Sequence, residues 1–475
     1  MSRKLFTLIG LLVGLTLVLA ACGGAAPTAA PTAAPTQAPA QAPAEEPAKP
    51  TEVPAAAPTE APTAAPTQAA AGPMEAPTQA PAAEAKTLII GFTASQTGKL
   101  NVESVRQMDG LQLWINQVNG AGGLKLDDGS TLKFEARFYD DESNKDRVQE
   151  LYTRLSTDDK ADFLVSPYSS GLADAAAVIA EQYGKIMITT GAASDSTYQK
   201  GYTLVYQAYT PASHYLTGAA DLLAKLDSSA KKIAIVHEND KFSTDVANAL
   251  KTYAEGNGYE IVLFEGYDSG ATDFAPFINK IAAASPDAIM GGGHFADTST
   301  FAKQLHEKGV KAKFIALLVA PPEPKFAELG DAALGVVGPS QWEPLAKYTP
   351  ESAKAAGLEW YGLSGTEFVD AYKAAYNEDP SYHSAGGYAA GLILQKAIET
   401  AGSYDTDKVK AALDSMDVLT FFGHTRFDTS AENHGLQIGH DMVYVQWQKD
   451  ASGNLVKEVV WPEEGKSADA LYPVP

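Results

Sequence analysis

Short apolar runs alternate with amphipathic stretches from Thr87 onward, and this alternation constrains the fold more than any other feature. One run and one stretch together take roughly 25 to 30 residues, which is enough for a right-handed crossover between parallel strands. The runs predict strands at 87–92, 132–139, 162–166, 186–190, 232–237, 260–264, 287–291, 313–317, 442–448 and 456–461. The stretches predict helices at 105–118, 146–155, 172–183, 243–255, 274–284, 298–308, 366–376, 384–400 and 406–415. We therefore expect an α/β fold of mostly parallel sheets flanked by helices.

The length of this region indicates two lobes. Residues 87–475 number 389, which exceeds what one hydrophobic core usually organises. The full chain carries 36 basic and 58 acidic side chains, for a net charge of −22, and no run of Lys or Arg stands out in the folded region. A nucleic acid is therefore not expected as a partner. A single cysteine excludes an intramolecular disulfide, so stability must come from packing.

The first 21 residues are typical of a secretion signal, and they end at the one cysteine of the chain. Arg3 and Lys4 precede an apolar run over 5–19, which is too short for a spanning helix of about 20 residues. Small residues at positions 20 and 21 suit cleavage before Cys22. Bacterial lipoproteins show a similar pattern, so we expect a lipid on Cys22 that anchors the exported protein to a membrane. A secretory signal beside an unrelated cysteine is the alternative.

The segment 22–86 lacks the residues needed to build a core. Repeats such as Ala-Pro-Thr-Ala-Ala-Pro-Thr fill it, and large apolar side chains are almost absent. Proline removes backbone donors, and alanine and threonine bury too little area to offset the entropy of ordering. We expect a disordered tether, whose 64 residues after the cysteine span roughly 45 Å as a flexible coil.

Three loops that follow predicted strands are rich in small polar residues, and open parallel sheets bind ligands at this edge. The loop Ser166-Pro167-Tyr168-Ser169-Ser170-Gly171 leads into a helix, where hydroxyl and backbone N–H groups suit a carboxylate. The loop 189–196 should lie beside it and lets a ligand approach the main chain. The loop 291–297 supplies Asp297 at a helix start. An acid that faces an anion site across a cleft suits a zwitterion.

Helix capping is the alternative role for these polar residues. Ser169, Ser170, Ser194 and Asp297 stand at positions where such side chains most often cap a helix. The two roles are compatible, because a capping residue can offer a second lone pair or a neighbouring N–H group to a ligand.

Seven short motifs follow one another along the folded region. They are Gly91-Phe92, Gln96-Thr97-Gly98, Trp114-Ile115-Asn116-Gln117-Val118-Asn119-Gly120-Ala121-Gly122-Gly123, Tyr139-Asp140-Asp141-Glu142-Ser143, Pro167-Tyr168-Ser169-Ser170-Gly171, Gly191-Ala192-Ala193 and Gly386-Gly387-Tyr388-Ala389-Ala390-Gly391. In this order they resemble the solute-binding proteins of branched-chain amino-acid ABC transporters, which are type 1 periplasmic binding proteins. The resemblance covers nearly all of the folded region, from Leu88 to about Pro475.

The resemblance implies two lobes, joined by three crossovers, that close on a small molecule. It places the first lobe at 87–208 and 338–420 and the second at 209–337 and 421–475. It also implies that Ser170 and the Ala193 N–H group contact a ligand carboxylate and that the Gly191 carbonyl contacts its ammonium group. Asp297 falls where the family commonly has a glutamate that pairs with the ammonium.

Two departures from the family concern the ligand. Members that bind leucine carry a threonine where Ala193 stands, and only Ser194 could replace the missing hydroxyl group. Phe242 replaces a tyrosine of the second lobe, which keeps a stacking surface without its polar tip. Relatives of this fold bind amides, urea or aromatic acids, and Trp342 could line a pocket for an apolar group or belong to the core. The candidate ligand-binding residues are Tyr168, Ser169, Ser170, Gly191, Ala192, Ala193, Ser194, Phe242, Asp297 and Trp342.

The sequence contains no common enzyme motif, such as Gly-x-Ser-x-Gly, a phosphate-binding Gly-x-x-x-x-Gly-Lys loop or His-Glu-x-x-His. Three histidines lie within one short stretch, at spacings that match no common metal motif: His424, His434 and His440. The acidic group around Asp140 could hold calcium, but a solvated cluster at a helix start is the better interpretation. We expect no enzymatic activity, no cofactor and no metal.

The expected function is that of an extracytoplasmic, membrane-anchored lipoprotein, monomeric, that captures a small carboxylate-bearing solute. The solute would be an amino acid of branched-chain type, presented to an ABC transporter permease. The alternative is a ligand-sensing receptor for amides, urea or aromatic acids that acts through a separate signalling partner.

Overall fold

The computed structural model describes residues 85–346 and 348–475. The predicted signal peptide, the lipid site at Cys22 and the tether up to residue 84 lie outside the described residues. Strand β1 begins at Lys86, so the last residue assigned to the tether belongs to the first strand. Within the described ranges, no helix combines the length and the apolar character that crossing a membrane requires.

The described chain contains sixteen strands and eleven α-helices in alternation. The strands are β1 (Lys86–Ala94), β2 (Leu124–Lys125), β3 (Thr131–Asp140), β4 (Phe163–Val165), β5 (Met187–Thr189), β6 (Val205–Gln207), β7 (Lys232–Glu238), β8 (Glu260–Tyr267), β9 (Ala288–Gly292), β10 (Phe314–Leu317), β11 (Val337–Ser340), β12 (Glu359–Trp360), β13 (Asp417–Leu419), β14 (His424–Arg426), β15 (Val443–Lys449) and β16 (Leu455–Trp461). The helices are α1 (Asn101–Gly120), α2 (Lys145–Thr157), α3 (Ser170–Gln182), α4 (Thr217–Leu226), α5 (Lys241–Gly256), α6 (Ala275–Ala284), α7 (Phe295–Glu307), α8 (Pro350–Ala356), α9 (Gly365–Tyr376), α10 (Tyr382–Ala401) and α11 (Thr406–Asp414).

Two separate sheets form the centres of two lobes. The first lobe is built on the six-stranded sheet β2-β3-β1-β4-β5-β6, and the second on the seven-stranded sheet β16-β15-β11-β10-β9-β7-β8. Within these two sheets, neighbouring strands are parallel except for the pairs β2–β3, β11–β15 and β15–β16. A third, three-stranded sheet has the order β12-β13-β14, with β13 and β14 antiparallel. Strands buried on both faces read as continuous apolar runs, which is why the sequence shows them clearly. The predicted α/β fold of mostly parallel sheets is confirmed.

The chain passes between the lobes at positions that differ from those expected after residue 337. Strand β11 runs to Ser340 and lies in the second sheet, although the sequence analysis assigned residues from 338 onward to the first lobe. Phe421, Phe422 and Phe427 pack in the core of the first lobe, although residues from 421 onward were assigned to the second. The later two crossovers therefore fall after Ser340 and just before β15.

Helices α1 and α10 cross at close range in the first lobe. A Cβ atom added at Gly387 would lie 2.0 Å from the backbone oxygen of Gln107, so only glycine allows this approach. The motif 386–391 thus serves helix packing. The crossing holds the start of α10, with Tyr382 and His383, at the edge of the sheet where the loops after β4 and β5 emerge.

Candidate functional site

A small cavity lined by residues of both lobes lies between them. It sits at the carboxyl ends of the parallel strands of both sheets, where the crossover pattern leaves a crevice. Five aromatic rings and two imidazoles dominate its wall. The lining residues are Tyr168, Ser169, Gly191, Ala193, Tyr209, Tyr382 and His383 from the first lobe and Tyr215, Phe242, His294 and Val319 from the second.

Tyr168 and Ser169 reach the cavity because the loop after β4 leads directly into α3. Ser169 precedes the first turn of α3, and its side chain makes no capping hydrogen bond. The first N–H groups of a helix have no partner within the helix. The start of α3 therefore offers N–H groups and the positive end of the helix dipole beside the Ser169 hydroxyl group.

Ser170 joins the two loops of the first lobe instead of lining the cavity. Its hydroxyl oxygen accepts hydrogen bonds from the N–H groups of Ala193 at 3.0 Å and Ser194 at 3.2 Å. The two loops lie side by side, as expected. Ser170, Ala192 and Ser194 are buried behind the wall, whereas Ala193 lines it. The Ala193 N–H group, which the resemblance assigned to a ligand carboxylate, is thus engaged within the protein.

Gly191 lines the cavity in a conformation that favours glycine. Its φ angle is +67°, and an added Cβ atom would lie 2.3 Å from Oε1 of Gln107 and 2.6 Å from the ring of Tyr168. Any larger residue would therefore displace the Tyr168 ring from the wall.

His294 connects the two lobes across the cavity. Its Nδ1 lies 2.8 Å from the Tyr168 hydroxyl group in the first lobe, and its Nε2 lies 3.0 Å from Oδ2 of Asp240. Burial alone would lower the pKa of His294, but the Asp240 carboxylate, with Glu238 and Glu103 further away, raises it to about 9. Burial raises the pKa of Tyr168 well above its usual range, so the phenol stays protonated.

Asp297 does not line the cavity, contrary to the sequence-based expectation. Its Oδ1 accepts a hydrogen bond from the backbone N–H group of His294 at 2.9 Å, which closes a capping box at the start of α7. Its Oδ2 accepts a hydrogen bond from the Tyr267 hydroxyl group. Burial, with the Glu238 carboxylate nearby, raises the pKa of Asp297 to about 6. Both oxygens are committed to holding α7, so the capping alternative describes this residue.

Trp342 belongs to the core of the first lobe and not to the cavity wall. Its ring is 1 % exposed and packs edge-on against Phe368 and Phe421. Phe242, in contrast, lines the cavity as expected, with its ring centroid 5.0 Å from that of Tyr215 and 6.0 Å from that of His294.

His383 is a polar group of the cavity wall that the sequence analysis missed. Its Nδ1 lies 2.6 Å from Oε1 of Glu323, a second-lobe residue whose other oxygen lies 3.2 Å from Nε of Arg106. Burial alone would raise the pKa of Glu323, but the hydrogen bond from His383 and the charge of Arg106 hold it below its usual value. Nε2 of His383 is buried and has no hydrogen-bond partner among the described residues. The imidazole thus carries an unused polar atom on the cavity wall.

Further bonds between the lobes hold the cavity closed. Nζ of Lys99 lies 2.5 Å from Oε1 of Glu238, and Oε1 of Glu103 accepts a hydrogen bond from the Phe295 N–H group at 2.8 Å. The first residue of each pair belongs to the first lobe and the second to the other lobe. The structure therefore shows the two lobes in contact around the cavity.

Five further wall residues were not predicted from the sequence: Tyr209, Tyr215, His294, Val319 and Tyr382. His294 lies within the loop 291–297 that was singled out, so its place after a strand was the available signal. Tyr209 follows β6, which was not predicted. For Tyr215 and Tyr382 no local pattern separated a cavity ring from a core ring.

Comparisons with known proteins agree with this architecture. A family model described as Periplasmic binding protein matches residues 87–453. The leucine-, isoleucine-, valine-, threonine- and alanine-binding protein of Pseudomonas aeruginosa is 26% identical over 374 residues, covering 78% of this chain and 93% of that protein.

Solved structures share the fold. The branched-chain amino acid transporter substrate binding protein LivJ from Streptococcus pneumoniae, in complex with isoleucine, superposes with a TM-score of 0.64 at 23% identity, covering 79% of this chain and all of that one. A solute binding protein of an ABC transporter from Rhodopseudomonas palustris, in complex with 3,4-dihydroxy benzoic acid, gives 0.64 at 22% identity, covering 82% and 98%. Since the family model spans most of the chain, the chain belongs to the periplasmic binding protein family.

Proposed function

We propose that the protein captures a small carboxylate-bearing solute, an amino acid of the branched-chain type, in the cavity between its lobes and delivers it to an ABC transporter permease. The protein itself catalyses no reaction in this scheme. It is exported, anchored to the membrane through a lipid on Cys22 and acts as a monomer.

The cavity that both lobes share is the observation that carries this proposal. Seven of its lining residues come from the first lobe and four from the second. A solute that contacts both walls binds the closed arrangement better than the open one and shifts the protein toward it. The space enclosed between the walls is small, which favours a small molecule over a peptide or an oligosaccharide.

The polar groups of the wall favour a solute with an anionic end and a donor end. The carboxylate would lie at the start of α3, against Ser169, where N–H groups and the helix dipole favour a negative charge. The Gly191 carbonyl and Nε2 of His383 would accept hydrogen bonds from an ammonium group. His383 takes over part of the role that the sequence gave to Asp297, because its Nε2 is a buried atom of the cavity wall without a partner among the described residues.

The aromatic wall favours a solute with an apolar body. Two similar proteins are described with such solutes. The Pseudomonas aeruginosa relative is named for binding leucine, isoleucine and valine among its ligands, and the Rhodopseudomonas palustris structure holds an aromatic acid. The buried acceptor of His383 favours a solute with a donor group, such as an ammonium group, over an unsubstituted benzoate, which would leave that acceptor unsatisfied at a cost of roughly 1 to 3 kcal/mol.

A thermal-unfolding screen tests solute capture. The purified protein is melted with amino acids, amides, urea and aromatic acids at millimolar concentration. A ligand that binds only the folded state adds about 2.7 kcal/mol at a hundred times its dissociation constant, so leucine, isoleucine or valine should raise the melting temperature clearly. A shift with aromatic acids alone would keep solute capture and replace the solute. Silence across the whole panel would contradict capture of this class of molecule.

Uptake of the labelled solute by cells tests delivery to a permease. Deleting the gene should abolish uptake at low solute concentration, and restoring it should recover uptake, whereas a Cys22→Ser variant should restore less because it lacks the anchor. Unchanged uptake in the deletion strain, with a transcriptional response to the solute that disappears, would favour the sensing receptor instead.

A further inference from the structure

Three side chains of the second lobe bring one potential ligand atom each to a common point. Nε2 of His294 lies 3.0 Å from Oδ2 of Asp240 and 3.9 Å from Oε2 of Glu238. The three ligand atoms all lie within 4.8 Å of one another. Glu238 ends strand β7, Asp240 precedes α5 and His294 precedes α7, so rigid elements hold all three.

The other polar atom of each side chain is already fixed by a separate partner. Oδ1 of Asp240 accepts a hydrogen bond from the backbone N–H group of Ser243 at 2.8 Å. Oε1 of Glu238 accepts one from Nζ of Lys99 at 2.5 Å. Nδ1 of His294 is bonded to the Tyr168 hydroxyl group. Partners of this kind orient metal ligands, because they fix the histidine tautomer and the carboxylate rotamer. Oε2 of Glu238, Oδ2 of Asp240 and Nε2 of His294 face one another and are not used by these orienting partners.

Glu238 supplies an independent sign that this point needs a cation. Its side chain is 1 % exposed, and its Oε2 has no hydrogen-bond partner in residues 85–346 and 348–475. A proton shared between His294 and Asp240 satisfies those two residues and leaves Oε2 of Glu238 without a donor. A buried carboxylate oxygen without a partner is costly, and a cation bound by all three atoms removes that cost.

We propose that Glu238, Asp240 and His294 form a binding site for a divalent transition-metal ion, with Zn²⁺ as the best-matched probe. Two carboxylates carry the charge that a divalent ion neutralises, and the ion takes the place of the Nε2 proton of His294. Nitrogen plus oxygen ligands suit Zn²⁺ at distances of roughly 2.0 to 2.2 Å. Ca²⁺ matches less well because it takes six to eight oxygen ligands. Asp297 is not a ligand in this arrangement, since both of its oxygens are bonded elsewhere.

The site lies beside a second pocket and is joined to lobe closure. His294 lines this pocket together with Lys99, Glu238 and Gly270. With a metal on Nε2, the Nδ1–H group of His294 donates to the Tyr168 oxygen of the other lobe. Metal binding at Nε2 therefore keeps the bond between His294 and Tyr168 that joins the two lobes.

Titration calorimetry with Zn²⁺ tests the site. The purified protein is treated with a chelator, dialysed and titrated with zinc chloride, and manganese and calcium chlorides are compared. We expect one site per chain with a dissociation constant below about 10 µM for Zn²⁺ and weaker binding of Ca²⁺. Asp240→Asn and Glu238→Gln keep the capping and Lys99 contacts and should each weaken binding at least tenfold.

Asp414→Asn is the matched control. Asp414 also pairs with a histidine, His434 at 2.9 Å, but among the described residues this pair is not part of a group of three potential metal ligands. This control should bind Zn²⁺ as the unmodified protein does. If a variant fails to fold, X-ray absorption at the zinc edge of the unmodified protein must show one imidazole among nitrogen and oxygen ligands. Binding weaker than 1 mM, or binding that survives both Asp240→Asn and Glu238→Gln, would overturn the proposal. Either result leaves solute capture untouched, since the thermal screen measures it separately.

Discussion

The hydroxyl group of Thr210 lies 2.8 Å from Nδ1 of His440, although 230 residues separate them in sequence. Thr210 stands on the first crossover between the lobes and His440 on the third. Gln341 stands on the second crossover, and its Oε1 accepts a hydrogen bond from the Thr210 N–H group at 2.8 Å. Nε2 of His440 bonds the Phe422 carbonyl at 2.8 Å. The three crossovers are therefore bonded to one another, and an opening motion must bend them together.

His440 should make the stability of the protein depend on pH. Burial lowers its pKa to about 4 from 6.5, so the unfolded chain takes up the proton first as the pH falls. The contribution is fully present above pH 6.5 and is lost between pH 6.5 and 4. Between pH 7 and 5 the unmodified protein should lose about 2 kcal/mol more unfolding free energy than His440→Gln. Urea unfolding at the two pH values measures this difference; equal losses would contradict it.

Gly191→Ala should weaken solute binding by displacing the Tyr168 ring. Gly201→Ala is the matched control, because Gly201 also has a positive φ angle, +76°, but no atom near the position of an added Cβ. Both variants should lose roughly 1 to 2 kcal/mol of unfolding free energy from backbone strain. Only Gly191→Ala should lower the affinity for the solute found in the thermal screen, by at least tenfold. Equal affinities in calorimetry would place the solute away from this wall.

Asp297→Asn should leave solute affinity within about twofold, because its carboxylate holds α7 and does not face the cavity. Its unfolding free energy should fall by roughly 1 kcal/mol, as for other weakened caps. His383→Asn keeps a nitrogen donor toward Glu323 and removes the acceptor Nε2. The affinity for an amino acid should therefore fall at least tenfold. Calorimetry on the two variants compares the assignments directly, and the reverse ranking would restore the acid as the ammonium ligand.

Gly387→Ala should destabilise the first lobe. The added methyl group meets the backbone oxygen of Gln107, which cannot rotate away, so helices α1 and α10 must separate. We expect a loss of roughly 2 to 3 kcal/mol of unfolding free energy, typical of overpacking. Gly256→Ala, at the end of α5, has no atom near the added Cβ and should not destabilise. A chemical-denaturation series that shows no difference between them would mean that the helix crossing adapts.

The sequence predicted the central elements well because buried parallel strands and amphipathic helices have distinct periods. Several strands of two or three residues, such as β2, β6 and β12, were missed because they are too short to show a period, whereas the equally short β4 and β5 lie in continuous apolar runs. The crossover after Ser340 was misplaced because β11 contains Gly338 and Pro339 and does not read as an apolar run.

The cavity was harder to predict than the fold. The sequence predicted α7 from residue 298, but the helix begins at Phe295, which makes Asp297 the third helical residue and turns its carboxylate back toward the His294 N–H group. A shift of three residues thus places His294 on the cavity wall and turns Asp297 away from it. Trp342 packs on Phe421, a distant partner that no local pattern reveals. The role of His383 likewise depends on Glu323, 60 residues earlier.

Glu323 gives the closed cleft a kinetic property of its own. Opening must withdraw this fully buried carboxylate of the second lobe from Arg106 and His383 of the first. The barrier to that separation belongs to the protein and is the same whichever solute is inside. The residence time of a trapped solute is therefore set in part by the rupture of this ion pair, and a permease that pulls the lobes apart would shorten it by acting on the protein alone.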